Sequence, residues 1–337
     1  PMRCPVPSES SSAGAAPRSS PWWIECSETV GVDQVLDLAA PSARHLVQLA
    51  PGRLILRLWR LEGPGLEVHG GASNLPLRAV GITPPRGSST ASFLLEAPGR
   101  CTMHGHEVKP GDVLLWPAGL AYDGIAPAGH RWATVILPDR VARSLGRMDS
   151  GEVAKLPIAS LMVARMTGAR ELFDAMGAWR DAEITDLDPS VYEPLRDHCY
   201  DLLRHVFQQA RPAVEAERAT RSALRVIRAV EDLWLSQLDR KTKLEDAAGA
   251  AQVSPRTVES AFSRILGMPP FRYLETLRAH ALFLELRRTG PDAPATVVEG
   301  ERRCGVAHPS RFASRYRSIF GELPSETLHR VRTDPER

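Results

Sequence analysis

Two stretches of the chain carry hydroxyls and guanidiniums at the spacing of one helix face. In SPRTVESAFSRIL, Ser254, Arg256, Thr257, Ser260, Ser263 and Arg264 fall opposite Val258, Phe262 and Ile265. In HPSRFASRYRSIF, His308, Ser310, Arg311, Ser314, Arg315 and Arg317 stand out in the same way from Phe312, Tyr316 and Ile319. Donors and permanent positive charge on one side, with apolar residues behind, suit the binding of a polyanion. A guanidinium fork matches phosphate oxygens and also the guanine edge in the major groove of DNA. Arg256 is the first choice for reading a base. Arg264, Arg315 and Arg317 suit phosphates equally well, or are solvated helix charges. Glu259 on the same face either accepts from a cytosine amino group or repels phosphate, and the second reading is preferred.

Other reactive types are sparse. His104-Gly105-His106 has the look of a metal pair, but Gly105 is the natural tip of a hairpin, which puts both imidazoles near a loop. The five cysteines, Cys4, Cys26, Cys101, Cys199 and Cys304, show no C-x-x-C pair and no zinc-ligand spacing. Idle thiols in a reducing compartment are expected, with no metal, no cofactor and no catalytic residue.

The elements that must hold the two donor faces follow the same plan twice. Leu244, Ala247 and Ala248 share one side of a short helix, Gln252-Val253 make a turn, and Ser254 caps a second helix that opens with Pro255 and stops at Gly267. Val297-Val298 begin the second copy, Cys304-Gly305-Val306 turn it, and Pro309 to Gly321 complete it. A short helix, a tight turn and a capped helix with a polar front form a helix-turn-helix, whose second helix enters the major groove. Pro270 to Arg288 read as one connecting helix with Tyr273, Leu277 and Leu284 inward. Its nineteen residues reach about 28 Å, near the ~34 Å repeat of one face of B-DNA. Two reading heads one turn apart are expected.

Charge is divided accordingly. Residues 221–337 hold 20 Lys/Arg and 15 Asp/Glu, a net of +5, whereas residues 1–220 hold 22 and 25, a net of −3. The near-neutral total of +2 across 337 residues conceals a basic rear on an acidic front. With 43% hydrophobic and 24% charged residues, the chain is neither disordered throughout nor fibrous. No apolar run approaches the ~18–20 residues of a membrane span. The first twenty residues have no apolar core of a secretory signal, so a cytoplasmic protein with no membrane partner is expected.

Residues 22–150 read as strands and turns. In RLILRLWRL, Leu54, Leu56 and Leu58 alternate with Arg53 and Arg57; ASFLLEA, DVLLWPA and WATVILP follow between Gly/Pro breakers. A sandwich or small barrel results. Residues 1–21 read as a disordered tail and residues 151–212 as helices. In these, Leu172, Phe173, Met176 and Trp179 form one amphipathic set, and Leu195, Cys199, Leu202, Leu203, Val206 and Phe207 another. These faces either cap the barrel as core, the preferred reading, or pair two copies of the chain. A linker at 213–220 leads to the helical domain at 221–330. The fold class is α+β in two domains.

These residues resemble a family. LEDAAGAAQVSPRTVESAFSRILGMPPFRYLETLR (244–278) and HPSRFASRYRSIFGELPSETL (308–328) are similar to the DNA-binding domain of AraC/XylS-type bacterial transcription regulators. The phrases RFA-x-x-YR and GELPSETL resemble the ethanolamine-responsive branch. The resemblance implies seven helices with two helix-turn-helix units. It also implies that Arg256, Thr257, Ser260, Arg264, His308, Ser310, Arg311, Ser314 and Arg315 face DNA. Gly300 and Glu301 stand where the family usually has an apolar residue and Ala, and Val306 replaces a Phe. A second unit that is loosely packed or reads few bases is the expected consequence.

LVQLAPGRLILRL (46–58) and GDVLLWPAGLAYDG (111–124) resemble the cupin-like sensor of the same regulators. Tyr122 stands where a metal-binding cupin has His, and the H-x-H and Glu of the other cupin signature have no counterpart between residues 70 and 100. By this analogy the barrel holds a small organic effector, walled by Trp59, Trp116 and Tyr122, though each is equally well an ordinary core aromatic. The resemblance implies an effector-controlled regulator of an operator in double-stranded DNA, most readily an activator working with RNA polymerase, as a homodimer. Its rivals are an atypical or metal-independent cupin enzyme with an ancillary helical domain, and an architectural DNA binder without an effector.

Overall fold

The computed structural model describes residues 23–30, 45–63, 65–81, 88–116, 122–138, 140–141, 154–156, 189–209, 211–212, 218–288 and 293–333. The expected tail (1–21) and the helical set at Leu172–Trp179 lie outside the described residues. So do residues 213–217 of the linker and the side chain of Trp116.

Antiparallel strands occupy the front half. They are β1 (Trp23–Val30), β2 (His45–Gln48), β3 (Ile55–Gly63), β4 (Leu66–Ser73), β5 (Leu77–Val80), β6 (Ser88–Glu96) and β7 (Cys101–Met103). They continue with β8 (His106–Val108), β9 (Val113–Trp116), β10 (Asp123–Ala126), β11 (His130–Pro138), β12 (Ala154–Leu156) and β13 (Arg211–Pro212). One sheet has the order β1-β3-β4-β11-β6-β9-β12-β13, the other β2-β5-β10-β7-β8. The sheets face each other through Leu94 and Leu114 from the first and Cys101, Met103, Val108 and Ala126 from the second.

Two stretches expected as helix or linker are strand. Residues 154–156 pair with β9, and Arg211–Pro212 pair with them in turn. Open edges left by β9 take these short segments because unpaired edge N–H and C=O groups need partners. Helix α1 (Pro189–Gln209) covers the second amphipathic set and buries Tyr192, Cys199 and Leu203, while the side chains of Leu195, Leu202, Val206 and Phe207 lie outside the described residues.

From residue 218 the chain is helical: α2 (Arg218–Ser236), α3 (Leu244–Ala251), α4 (Pro255–Leu266), α5 (Pro270–Leu286), α6 (Val297–Arg303), α7 (Pro309–Phe320) and α8 (Pro324–Thr333). Helix α2 begins inside the expected linker, because Thr220 is already buried on its inner side. The 17 residues of α5 span about 25 Å. Tyr273 and Leu277 point inward as expected, but Leu284 is 47% exposed. The reason is local: the cluster covering that side of α5 ends at Leu277, so the same face one turn before the helix end meets solvent.

The halves share their cores. Val47 and Ile125 of the sheets belong to the cluster of α2–α5, while Leu46, Leu54, Leu56 and Leu77 pack with Leu282, Phe283 and Leu286 of α5 and with Tyr316 of α7. The alternation of β3 therefore buries its leucines against the helical half. Gln48 reinforces this joint: its backbone N–H donates to His280 Nε2 at 3.1 Å, and its amide Nε2 donates to the Ile319 carbonyl at 3.2 Å. The Gly52 N–H donates to the Ser318 carbonyl at 2.9 Å.

A buried ion cluster completes the contact. Arg78 on β5, with 0% of its side chain exposed, reaches Asp123 on β10 and donates to both carboxylate oxygens of Glu231 on α2, at 3.1 and 2.8 Å. Tyr273 of α5 donates to Glu231 at 2.6 Å, and Arg228 of α2 also grips Asp123. Burial opposes the charge on Arg78, but Glu231 and Asp123 outweigh it and hold the guanidinium well above its ordinary value.

Candidate nucleic-acid interface

The first donor face is built by local rules. Lys243 N–H donates to Asp246 Oδ2 at 2.8 Å at the start of α3, and Ala247 and Ala248 are buried where α4 crosses. Gln252 turns the chain in a left-handed conformation (φ 54°), and the Val253 N–H closes onto the Ala248 carbonyl at 3.0 Å. Ser254 Oγ then accepts from the Thr257 N–H at 3.2 Å, capping α4 ahead of Pro255. Val258, Ala261, Phe262 and Ile265 face the core. Ser254, Arg256, Thr257, Glu259, Ser260 and Ser263 are exposed together, as the spacing predicts. Arg264 is exposed too, but its guanidinium donates to the Ala219 carbonyl, so it leans toward α2.

The second face follows the same plan. Thr296 Oγ1 accepts from the Glu299 N–H at 3.2 Å and starts α6. Pro309 opens α7, which buries Phe312, Tyr316 and Ile319. His308, Ser310, Arg311, Ser314 and Arg317 are exposed. Arg315 departs from expectation. Its side chain is 21% exposed and donates to Thr276 Oγ1 at 2.6 Å and to the Arg272 carbonyl at 3.2 Å. Burial lowers its pKa. It braces α7 against α5 instead of pointing outward, because α5 offers two oxygens at that level of α7.

Gly300 gives α6 a close seat on α5, in place of the loose packing expected there. A Cβ on Gly300 would lie 3.0 Å from Leu282 Cδ1 and 3.2 Å from Leu286 Cδ2, so the bare glycine lets α6 rest closely on α5. At the turn, Gly305 (φ 69°) lies against the Leu238 carbonyl, and a Cβ there would come within 2.0 Å of its oxygen. Gly305→Ala is expected to cost about 2 kcal/mol or more, through both the clash and the strained backbone, read as a lower urea midpoint.

Glu301 is 5% exposed, and burial raises its pKa above 4.5. The folded state therefore prefers the protonated acid. This group's contribution is full below pH 4.5 and is lost as pH rises through the folded value. Glu301→Gln should leave stability unchanged near pH 4 and raise it progressively toward neutrality. Paired melting curves across pH 4–8 check this, and a constant offset would refute it.

Of the expected effector wall, the structure describes the side chains of Trp59 and Tyr122 and not that of Trp116. Trp59 on β3 lies across Gly70 of the neighbouring strand. Tyr122 packs into the core between the sheets, beside His104 at 5.8 Å between ring centroids. Burial raises the Tyr122 hydroxyl well above its ordinary value. The His104-Gly105 tip is a two-residue turn with both φ positive, 48° and 85°, as the hairpin reading requires. Helix α2 covers it, however: Arg221 sits against Gly105, His106 is buried, and burial drives His104 down to about 4. Sequence spacing gave no sign that this loop would be an interior one. Cys101, Cys199 and Cys304 are buried, and each thiol is pushed up to about 12, chiefly by burial.

A family profile described as a helix-turn-helix domain matches residues 247–330. The XylDLEGF operon transcriptional activator 1 of Pseudomonas putida is 33% identical over 137 residues, covering 40% of this chain and 37% of that relative. The probable thc operon regulatory protein of Rhodococcus erythropolis is 31% identical over 106 residues, 32% of each. The crystal structure of a probable AraC family transcriptional regulator from Rhodopseudomonas palustris is 30% identical. That match covers 32% of this chain and 96% of the other, with a TM-score of 0.29. The helical third is similar to regulators of the AraC/XylS type. The chain spans about a third of the length of these two curated relatives, and the AraC/XylS similarity is carried by its helical third. The profile begins within α3 and contains both donor faces, on α4 and α7.

Proposed function

We propose that this protein is a transcription regulator that binds duplex DNA through two helix-turn-helix units. The first is α3–α4 and the second α6–α7. The observation that carries this reading is the outward display of Arg256, Thr257 and Ser260 on α4 and of Ser310, Arg311 and Ser314 on α7. Each set is backed by a buried apolar face, at the two ends of α5. Arg256 reads a base, while Arg317 and Arg264 contact phosphates. Arg315 contributes by holding α7 in place.

The two-sheet half is, on this reading, a cupin-like effector module. Its shared core with α2, α5 and α7 lets an effector bias how both reading helices are held. The family relatives named as activators favour activation, with RNA polymerase as partner, and a homodimer is the working form. Among the described residues no helix is long and apolar enough to cross a membrane.

Selection from a random duplex pool, followed by gel shifts at about 0.15 M salt, tests the assignment. A selected site should bind about 10³-fold or more tighter than random duplex. Affinity should fall steeply with salt as counterions are released. Equal affinity for selected and random duplex would overturn it.

A further inference from the structure

Arg278 is the middle residue of the 17 in α5. Its guanidinium reaches the loop that leads from α2 into α3. Nε and Nη2 donate to the Leu238 carbonyl at 3.3 and 3.1 Å, and Nη2 donates to the Arg240 carbonyl at 2.8 Å. Gly305, in the turn between α6 and α7, lies against the same Leu238 carbonyl. A Cβ on Gly305 would also come within 3.1 Å of Arg278 Nη2. One backbone oxygen is thus shared by the lead-in of the first helix-turn-helix unit, the turn of the second, and the helix that joins them.

We propose that Arg278 is a positioning residue for DNA recognition. It fixes the separation and phase of the two reading helices, and so determines which spacing of half-sites the protein accepts. This rests on the two-unit reading of the proposed function. The chain joins the units only through α5, with Gly267 to Pro269 before it and residues 287–296 after it. A rod joined at its two ends leaves rotation about each joint to be set by packing. The first unit sits on the near half of α5, where Phe262 meets Tyr273. The second sits on the far half, where Gly300 rests on Leu282 and Leu286. At Leu238 the lead-in of one unit meets the turn of the other directly, which closes the frame.

A guanidinium suits this brace because its planar fork holds two carbonyls at once, and hydrogen bonds from a charged donor are stronger than neutral ones. Its donors go to backbone oxygens within the protein, so Arg278 acts through the two units and not on the DNA. An extra base pair between two half-sites moves the second by about 3.4 Å and turns it by about 35°. To follow it, the second unit must leave the Leu238 carbonyl and the frame must open. Linked units add to each other's affinity only while the geometry lets both engage. A closed frame therefore makes a shifted half-site costly, and an open one tolerates it.

The test is a set of gel shifts of the full chain on the selected duplex and on two derivatives. One has a base pair inserted between the two segments that a footprint shows protected, and the other has the second segment scrambled. The wild-type chain should lose about tenfold or more on the insertion. Arg278→Met keeps the apolar stem and removes the fork. It should bind the selected duplex about tenfold more weakly than wild type, the size of one charge-assisted hydrogen bond. It should bind the scrambled duplex as wild type does, and lose about threefold or less on the insertion. Arg278→Lys keeps the charge without the fork and should show an insertion penalty below that of wild type. Melting curves report whether each variant folds, and if Arg278→Met does not, Arg278→Lys decides. An insertion penalty equal to that of wild type, or one equal loss on all three duplexes, would make Arg278 a purely structural residue and overturn the proposal while leaving the two-unit reading intact. A wild-type chain that protects a single segment, or prefers no duplex over random, would instead overturn the two-unit reading and this inference with it.

Discussion

Arg78→Ala is expected to destabilise the protein by about 3–5 kcal/mol, the range seen when one partner of a buried ion pair is removed. The loss arises from what remains. Glu231 is 2% exposed and would lose the guanidinium that meets both its oxygens while keeping the Tyr273 hydroxyl, whereas Asp123 would keep Arg228. A carboxylate buried without a counter-charge is costly. The cost should therefore fall when the stranded charge is also removed: Arg78→Met with Glu231→Gln should be more stable than Arg78→Ala. Because Arg78 belongs to the sheets and Glu231 to α2, the single substitution should also split a shared unfolding transition into two. Urea unfolding followed by tryptophan fluorescence and by far-ultraviolet circular dichroism would show this. A loss under about 1 kcal/mol, or a double variant no better than the single one, would show that the cluster contributes little to the joint.

Arg256→Ala should weaken binding to a selected DNA site by about 1–3 kcal/mol, roughly 5- to 150-fold, and relax preference at one base pair. It should leave the melting temperature nearly unchanged, since Arg256 is exposed and its removal opens no cavity. Arg315→Ala is the informative contrast. Its guanidinium ties α7 to Thr276 and to the Arg272 carbonyl, so its loss should lower stability and weaken binding to every sequence alike. Gel shifts of both variants on the selected site and on its single-base derivatives distinguish the two roles. If Arg256→Ala lost affinity equally for all sequences, Arg256 would be a phosphate contact, and base reading would have to come from other residues of α4.

The helical third was legible because its signals are local. A Ser cap before Pro255, glycines closing α4 and α7, and apolar residues every three or four positions are decided within one turn of backbone. The donor face of α4 could be read from the same spacing. Arg315 could not, because its direction depends on Thr276 and Arg272, some forty residues away. The edge strands β12 and β13 were missed for a related reason. Two or three residues carry no periodicity, and only the open edge of β9 makes them strands.

The sequence by itself determined where the helices start and stop, which faces are apolar, and where the basic charge gathers. Only the tertiary structure decided what those faces meet. The leucines of β3 meet α5, His104 and Gly105 meet α2, and Arg78 finds Glu231 across the joint. Hydrophobic periodicity states that a surface must be buried, because leaving it in water costs about 25 cal/mol per Å². It carries no label for the partner, which is set by shape and by the pairing of buried charges between residues far apart in the chain.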